Sequence, residues 1–401
     1  MSVPVDRTGA GLRPWGFVVA FGIVSLLADM VYEGARSIIG PYLATLGASA
    51  ALVGIVAGAG EFIGYGLRVA TGYVVGRTGR YWTWTIVGYA LTVLSVPAIG
   101  LTGVLVPAVL LYGGERLGKA VRSPAKDTLL SFASASTGRG QAFGVHQALD
   151  QTGALLGPLL LAAVLAWRHD DYRLAFGVLI APGLLVLGLL GWLRRRVPDP
   201  WAYEEIAQEP RRDQNPLAGS DRLPPRFWQY VVVVAVLSCG VAPFPLLAFH
   251  AQADHLLSDD RIPLLFAAAM AVDGLSGLVV GRLYDRHGVR VLLAVPVAAA
   301  GAAIAFAGQV GWLWVGVLVW GVVNGVLDST VKAVVTELVP AARRAAGFGW
   351  LALVRGLGLL AAGALLGAAY DAGRWPVVTL ILVANGLALI GLALVLRRPA
   401  A

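Results

Sequence analysis

The sequence predicts an all-α polytopic membrane protein with twelve transmembrane helices in two six-helix pseudo-repeats. Hydrophobic residues make up 58% of the 401 residues and charged residues only 13%, whereas ordinary soluble domains carry about 25% charged residues. Apolar segments of about 20 residues, the length that spans a hydrocarbon core of about 30 Å, recur along nearly the whole chain. Short motifs of the first half reappear in the second half, which indicates an internal duplication.

Hydropathy and loop composition divide the chain into helices with a polar break near its middle. The N-terminal six-helix bundle is predicted at 1–193 and the C-terminal bundle at 226–401. The segment 194–225, rich in proline and charge, is predicted to be a cytoplasmic linker between them. The helices are predicted at 15–46, 49–73, 82–101, 104–129, 139–165, 172–193, 226–256, 260–281, 290–308, 311–337, 345–369 and 376–397.

The distribution of basic residues predicts how the chain lies in the membrane. With both termini in the cytoplasm, 19 of the 31 Lys and Arg residues fall in or beside cytoplasmic segments and 4 beside external ones, while 8 lie within helices. Basic residues concentrate on the cytoplasmic side of membrane proteins. We therefore expect a multi-pass protein of the inner or plasma membrane with cytoplasmic N- and C-termini.

Several classes of function lack support in the sequence. Cys239 is the only cysteine, which excludes an intramolecular disulfide and a thiolate metal cluster. The sequence contains no H-E-x-x-H, no G-x-S-x-G and no P-loop, so neither an enzyme nor an ATP-driven pump is expected. The net charge of +8 is explained by cytoplasmic loops and does not indicate nucleic-acid binding. The expected partners are a small-molecule substrate, protons and the lipid bilayer, with no metal, no cofactor and a functional monomer.

Two similar loops carry a resemblance to a known family. The second-half loop GRLYDRHGVR (281–290) has a first-half counterpart, GYVVGRTGR (72–80). The second-half loop resembles the G-x-x-x-D-R-x-G-R signature of the major facilitator superfamily, whose members are transporters built from two six-helix halves. The resemblance implies the major facilitator fold, with alternating access around a site between the halves. In the first-half loop, Gly76 stands where the family has an aspartate. The gating residues that the resemblance implies are Arg77, Arg80, Asp285 and Arg286, and a tight basic turn is the alternative for both loops.

Two further motifs bear on proton coupling. Gly153, Gly157 and Pro158 of the fifth helix resemble the G-x-x-x-G-P core of the antiporter signature in drug/proton exchangers of the same superfamily. Small residues at this spacing also mark plain helix packing, so an antiporter-type hinge and packing alone both remain open. The stretch 115–119 loosely resembles a fourth-helix signature in which an arginine is proposed to assist proton transfer.

The first helix carries charges where a membrane span should be apolar. In LADMVYEGARSIIGPYL (27–43), the residues Asp29, Tyr32, Glu33 and Arg36 are spaced i, i+3, i+4 and i+7, which places them on one stripe. A charge at the bilayer centre costs at least about 2.5–3.5 kcal/mol, so the stripe is expected to face the interior. Its charges either form structural ion pairs or carry protons and substrate. Proton carriers are expected first at Asp29 and Glu33, and then at Glu61 and Asp150.

Similar stripes on other helices complete the expected site. Asp150 and Arg355 occupy equivalent positions of the internal repeat, so we expect opposite charges to face each other across the pseudo-twofold axis. The mixed charges and aromatic rings suit a small polar or amphipathic organic compound, with a preference for an anion or zwitterion. The expected substrate and cavity residues are Tyr32, Arg36, Tyr65, Arg68, Glu115, Arg116, Lys119, Arg122, Gln147, Gln151, Asp273, Asn324, Asp328 and Arg355.

The sequence thus predicts a secondary active transporter, with proton-coupled efflux as the first expectation. Proton-coupled uptake by symport is the alternative within transport. A sensor or assembly protein that uses a carrier-like fold without transporting is the alternative from another class.

Overall fold

A computed structural model describes residues 11–137, 139–200, 203, 223–340 and 343–397, without the side chains of 135–136, 139–140, 285, 329–330, 332–333, 345 and 397. These residues form twelve helical spans. They are α1 (Pro14–Thr45), α2 (Ala50–Thr78), α3 (Tyr81–Thr102), α4 (Leu105–Thr137), α5 (Arg139–Arg168), α6 (Tyr172–Arg196), α7 (Pro225–Ala253), α8 (Ile262–His287), α9 (Gly288–Phe306), α10 (Val310–Leu338), α11 (Arg344–Asp371) and α12 (Arg374–Arg397).

The predicted all-helical fold with twelve spans is confirmed. Eleven helices of the described chain are long and apolar enough to cross a membrane, and α4 falls outside this group because of its charged residues. The predicted ends of α2, α4 and α8 were too early. Helix α2 continues past 73 to Thr78 because the residue that ends it is Gly79, whose φ of 61° breaks the helix. Helix α4 continues past 129 to Thr137, and Leu130 and Ala133 are buried there.

Helix α7 is broken within its span. Its first part ends at Cys239 and its second begins at Phe244. Two of the carbonyls at this break are bonded by side chains of other helices, as an apolar surrounding requires. The indole of Trp320 donates to the oxygen of Ala242 at 2.8 Å, and the amide of Asn385 donates to the oxygen of Gly240 at 3.0 Å. The break is therefore a stable part of the fold.

The helices pack as two halves, each with its own hydrophobic core. We call α1–α6 the N-half and α7–α12 the C-half. The N-half core centres on Phe17, Phe21 and Tyr89, and the C-half core on Phe244, Phe266 and Trp320. The halves touch mainly where α2 packs on α11, α1 on α7, and α5 on α8.

The halves are closed against each other at one end of the bundle. We call the end where α1 begins and α12 ends the termini side, and the other end the far side. On the far side, glycines let backbones meet. A Cβ at Gly54 of α2 would overlap the carbonyl oxygen of Gly363 in α11, and one at Gly40 of α1 would overlap that of Pro245 in α7. The Tyr172 hydroxyl also donates to Oδ2 of Asp259 across the halves at 2.6 Å.

Candidate functional site

A polar chamber lies between the two halves near the middle of the helices. About 190 Å³ of its volume is open to water. On the termini side it continues into a wider vestibule of about 830 Å³. Because the far side is closed, the vestibule is the route by which a solute reaches the chamber. The chamber is lined by Asp29, Tyr32, Glu33, Arg36, Glu61, Tyr65, Lys119, Gln147, Asp150, Gln151, Ala154, Val241, Ala242, Pro243, Met270, Asp273, Trp320, Asn324, Leu327, Asp328, Arg355 and Leu359.

Most predicted site residues meet in these two spaces. Of the predicted proton carriers and cavity residues, only Glu115 and Arg116 line neither the chamber nor the vestibule. Arg68 and Arg122 line the vestibule but not the chamber. Glu115 and Arg116 are each only 1% exposed and lie in the N-half behind the chamber wall.

An ion-pair network joins α1, α2 and α4 within the N-half. Arg36 reaches Oε2 of Glu33 at 3.5 Å and Oε1 of Glu61 at 3.1 Å. Arg116 reaches the same Glu61 oxygen at 3.5 Å, and its Nε lies 2.7 Å from Oε2 of Glu115. Lys119 lies 3.9 Å from Oε1 of Glu33. Glu33 and Glu61 are therefore paired carboxylates, as buried charges generally are.

A second cluster surrounds Asp150 on α5. Lys126 lies 3.7 Å from Oδ2 of Asp150, and Nε2 of His146 lies 3.6 Å from Oδ1. The Nζ of Lys126 and Nε2 of His146 are 3.1 Å apart, so the lysine donates to the imidazole. Ser25 is 3.3 Å from the same imidazole nitrogen and 3.2 Å from the hydroxyl of Tyr89. The carboxylate of Asp150 is thus held by groups of its own half.

The C-half contributes one arginine pair and contacts across the interface. Arg355 donates to Oδ1 of Asp328 at 2.8 Å, and its guanidinium lies 5.0 Å from the ring centre of Tyr65 in the N-half. Gln151 of α5 donates to the oxygen of Met270 in α8 at 2.7 Å. The expected pairing of Asp150 with Arg355 is not formed, because each has a nearer partner in its own half.

Five charged side chains that line the chamber or the vestibule have no oppositely charged group within 4 Å among the described residues. They are Asp29, Asp273, Arg68, Arg122 and the exposed Asp127. Asp29 is 7% exposed and lies on the chamber wall. Its position follows from the packing of α5 on α1. Gly153 of α5 has no side chain, and a Cβ built there would lie only 2.9 Å from the Cβ of Asp29.

Two glycines of the fifth helix allow close contact with α1, and the hinge role stays a prediction. A Cβ at Gly153 would overlap the carbonyl oxygen of Leu26, and one at Gly157 would overlap that of Met30. Pro158 lies within the same helix, which continues unbroken to Arg168. The close approach of α1 and α5 holds the charged stripe of α1 against the chamber.

The predicted gating residues lie away from the chamber. Arg77 is exposed, and its guanidinium donates to the hydroxyl of Tyr73 at 3.5 Å. Arg80 lies between α2 and α3, and Arg286 is exposed near the end of α8. The side chain of Asp285 lies outside the described residues. The gating role of this set therefore stays a prediction.

Some residues of the site were not predicted from the sequence. Trp320 lies on the chamber wall one turn before Asn324, so the spacing on α10 could have revealed it. Ser25 lies one turn before Asp29 on the predicted stripe. Tyr89 gives no local signal, because it sits in an apolar helix and meets Ser25 only through packing. Within the described chain, no three His, Cys, Asp or Glu side chains are grouped to hold a metal ion.

Comparisons with known proteins agree with this architecture. The family model described as Major Facilitator Superfamily matches residues 21–256 and 232–401. An uncharacterized protein of Mycobacterium tuberculosis (strain H37Rv) is 45% identical over 393 residues, which cover 97% of this chain and 95% of that protein. An uncharacterized MFS-type transporter of Methanocaldococcus jannaschii is 23% identical over 255 residues, which cover 64% of this chain and 61% of that protein.

Solved structures of the same fold are more distant in sequence. The nucleoside transporter NupG superposes with a TM-score of 0.72 at 14% identity, covering 96% of this chain and 100% of that one. The peptide transporter POT superposes with a TM-score of 0.73 at 15% identity, covering 95% and 93%. At these identities the likeness is one of fold.

Proposed function

Because the chain belongs to the Major Facilitator Superfamily, we propose that it is a secondary active transporter in which proton movement drives the export of a small polar or amphipathic organic compound by alternating access. The substrate site is the chamber between the N-half and the C-half. Both termini lie in the cytoplasm, so the vestibule opens to the cytoplasm and the far side is the external one. The 19 to 4 distribution of basic residues supports this orientation.

The observation that carries proton coupling is the position of Asp29. A carboxylate that water reaches in one state and that no ion pair occupies can exchange a proton most directly. Among the four predicted carriers, Glu33, Glu61 and Asp150 each have a cation within 4 Å, and Asp29 has none in the described chain. Asp29 can therefore gain or lose a proton without first breaking an ion pair. Ionisable groups in membrane spans commonly mark such proton paths.

Export is favoured by the packing that surrounds Asp29. The stretch that resembles the antiporter signature lies directly against α1, and Gly153 lies beside Asp29 itself. A shift of α5 along α1 during alternating access would change the surroundings of this carboxylate. Such a shift connects the conformational change to proton release.

Uptake by symport is a second candidate, and the location of Arg122 favours it. Arg122 lines the vestibule into which the chamber with Asp29 opens. An anion bound at Arg122 would bring another negative charge near Asp29, and a proton on Asp29 would relieve the repulsion. Substrate and proton would then bind together, which is the requirement for symport.

The test measures proton flux and substrate exchange separately. Purified protein in proteoliposomes with a trapped pH dye receives a panel of anionic, zwitterionic and cationic compounds. We expect Asp29→Asn to lose substrate-driven proton flux while still exchanging radiolabelled substrate across the membrane, because exchange needs no net proton transfer. Asp199→Asn, on the loop after α6, is the control and is expected to keep both proton flux and substrate exchange. Full proton coupling in Asp29→Asn would refute the assignment.

The same experiment separates the two directions. Export by antiport moves protons against the direction of the substrate, and symport moves them with it. Glu33→Gln is measured in the same way. Because Glu33 is paired with Arg36, this variant is expected to impair folding or substrate exchange, and not proton coupling alone.

A further inference from the structure

We propose that the transported compound carries an anionic group, a carboxylate or a phosphate, and that Arg122 binds this group in the vestibule. The proposal rests on the transport function proposed above and names the substrate class of that site. The other observations on the vestibule walls support the same assignment.

Arg122 is a buried cation without a counter-ion among the described residues. It is only 3% exposed, and its Nε has no hydrogen-bond partner among them. No carboxylate among the described residues lies within 4 Å of it. A buried charge is normally paired, because removing it from water without a partner is costly. By contrast, Arg36, Arg116 and Arg355 each reach a carboxylate.

The tyrosines around Arg122 leave its hydrogen-bonding edge unused. Its guanidinium carbon lies 4.3 Å from the ring centre of Tyr89 and 5.1 Å from that of Tyr32. Such ring faces hold the cation in place through cation–π attraction. The ring faces do not accept hydrogen bonds from the N–H groups in the guanidinium plane. These groups can donate to two oxygens of a carboxylate or phosphate at once. Arg122 is therefore positioned for a ligand that the described residues do not supply.

The neighbouring charges favour an anion on the same wall. Lys119 and Lys126 lie one turn to either side of Arg122 on α4, and all three line the vestibule. Arg68 of α2 lines it too, and its Nε also lacks a hydrogen-bond partner in the described part of the chain. Basic side chains grouped on one wall raise the local concentration of anions. The vestibule also has carboxylates, Asp127 and Asp150 in the N-half and Asp273 and Asp328 in the C-half, and Asp150 is already paired with Lys126.

The test compares ligands that share one carbon frame. Benzoate, phenyl phosphate, benzamide and benzylamine are added at equal concentration and constant ionic strength to the full-length protein in a neutral maltoside detergent. The thermal unfolding midpoint reports binding. We expect benzoate and phenyl phosphate to raise the midpoint, and benzamide and benzylamine to leave it unchanged.

Variants assign the effect to Arg122. Arg122→Gln is expected to abolish the anion effect. Arg122→Lys keeps the charge and guards against misfolding, and it is expected to weaken binding about tenfold because lysine cannot bind two oxygens at once. Arg282→Gln, at an exposed arginine of α8, is the matched control and should retain the full effect.

Three results would overturn the proposal. They are an equal shift of the unfolding midpoint with benzylamine, a full anion effect in Arg122→Gln, and no shift of the midpoint with either anion.

Failure of the proposed transport function gives different results. If an anion binds through Arg122 but elicits no exchange in proteoliposomes, the transport function is refuted and the anion site is retained. If only cations are exchanged, independently of Arg122, the anion site is refuted and the transport function is retained.

Discussion

The carboxylate of Asp371, the last residue of α11, accepts a hydrogen bond from the backbone amide of Ala50, the first residue of α2, at 3.2 Å. Its other oxygen accepts from the amide of Ala51, also at 3.2 Å. Amides in the first turn of a helix have no partner within the helix and form its positive end. One half of the protein therefore caps a helix of the other half, and it does so on the far side.

This contact predicts that Asp371 holds the far side closed. Asp371→Ala removes two hydrogen bonds to a charged acceptor, and a lost helix cap costs about 1–2 kcal/mol. We expect the fraction of molecules open on the far side to rise roughly 5- to 30-fold. The measurement is the labelling rate of Ala154→Cys, on the chamber wall, by an impermeant maleimide added from the far side in a Cys239→Ser background. An unchanged rate, with Asp199→Ala as control, would contradict the prediction.

A second prediction concerns the glycine contact between α2 and α11. A Cβ at Gly363 would overlap the carbonyl oxygen of Gly54, which belongs to helix backbone that cannot turn away. Gly363→Val is therefore expected to prevent closure of the far side and to reduce substrate exchange at least about tenfold, because alternating access needs both states. Labelling of Ala154→Cys from the far side should rise.

The matched control for this variant is Gly386→Val in α12. No heavy atom lies within 4 Å of a Cβ built there, so exchange should remain near the wild-type rate. If both variants lose exchange equally, the loss reflects valine in a membrane helix and not the contact between the halves.

A third prediction concerns the buried pair of Glu115 and Arg116. Arg116→Met leaves Glu115 buried without its cation and removes one partner of Glu61. Removing one member of a buried pair costs about 3–5 kcal/mol, whereas replacing both by apolar residues of similar volume is often neutral. We expect Arg116→Met to unfold at a much lower temperature than Glu115→Leu/Arg116→Met. Equal midpoints for the two variants would show that the pair is not the source of the effect.

The local pattern of the sequence predicted which residues face the chamber, but it did not predict their partners. The i, i+3, i+4, i+7 spacing on α1 placed Asp29 and Glu33 together, because helix geometry alone determines which side chains share a face. Pairing depends on how neighbouring helices are rotated and packed. Glu61 pairs with Arg36 of another helix, and Asp150 pairs with Lys126 and not with Arg355.

The far-side contacts illustrate the same limit. Gly54 and Gly363 look like ordinary small residues of apolar helices, and nothing nearby in the sequence indicates that they touch. Their role appears only when α2 and α11, separated by almost 300 residues, are placed side by side. Hydropathy gives the number of spans, whereas contacts between spans follow from their packing.

A fourth prediction concerns pH and the far-side loops. Partial burial and the neighbouring carboxylates of Asp259 and Asp260 raise the pKa of Asp170 above its ordinary value of 3.8. Asp170 belongs to the N-half, and the other two belong to the C-half. When the halves separate, the neighbours leave and the pKa of Asp170 returns towards its ordinary value. The closed far side therefore binds this proton more tightly than the open one.

The sign of the pH effect follows from this difference. Closure is favoured as the pH falls through the raised pKa of Asp170, and this contribution is lost as the pH rises above it. At about pH 7 the charged Asp170 opposes closure, so Asp170→Asn should slow far-side labelling of Ala154→Cys relative to the parent protein. The two rates should converge as the pH is lowered from about 7 through the raised pKa of Asp170, because the parent carboxylate takes up a proton there. Comparing the two proteins at each pH cancels the titration of the labelled thiol. A rate ratio that does not change between these pH values would show that Asp170 plays no part in closure.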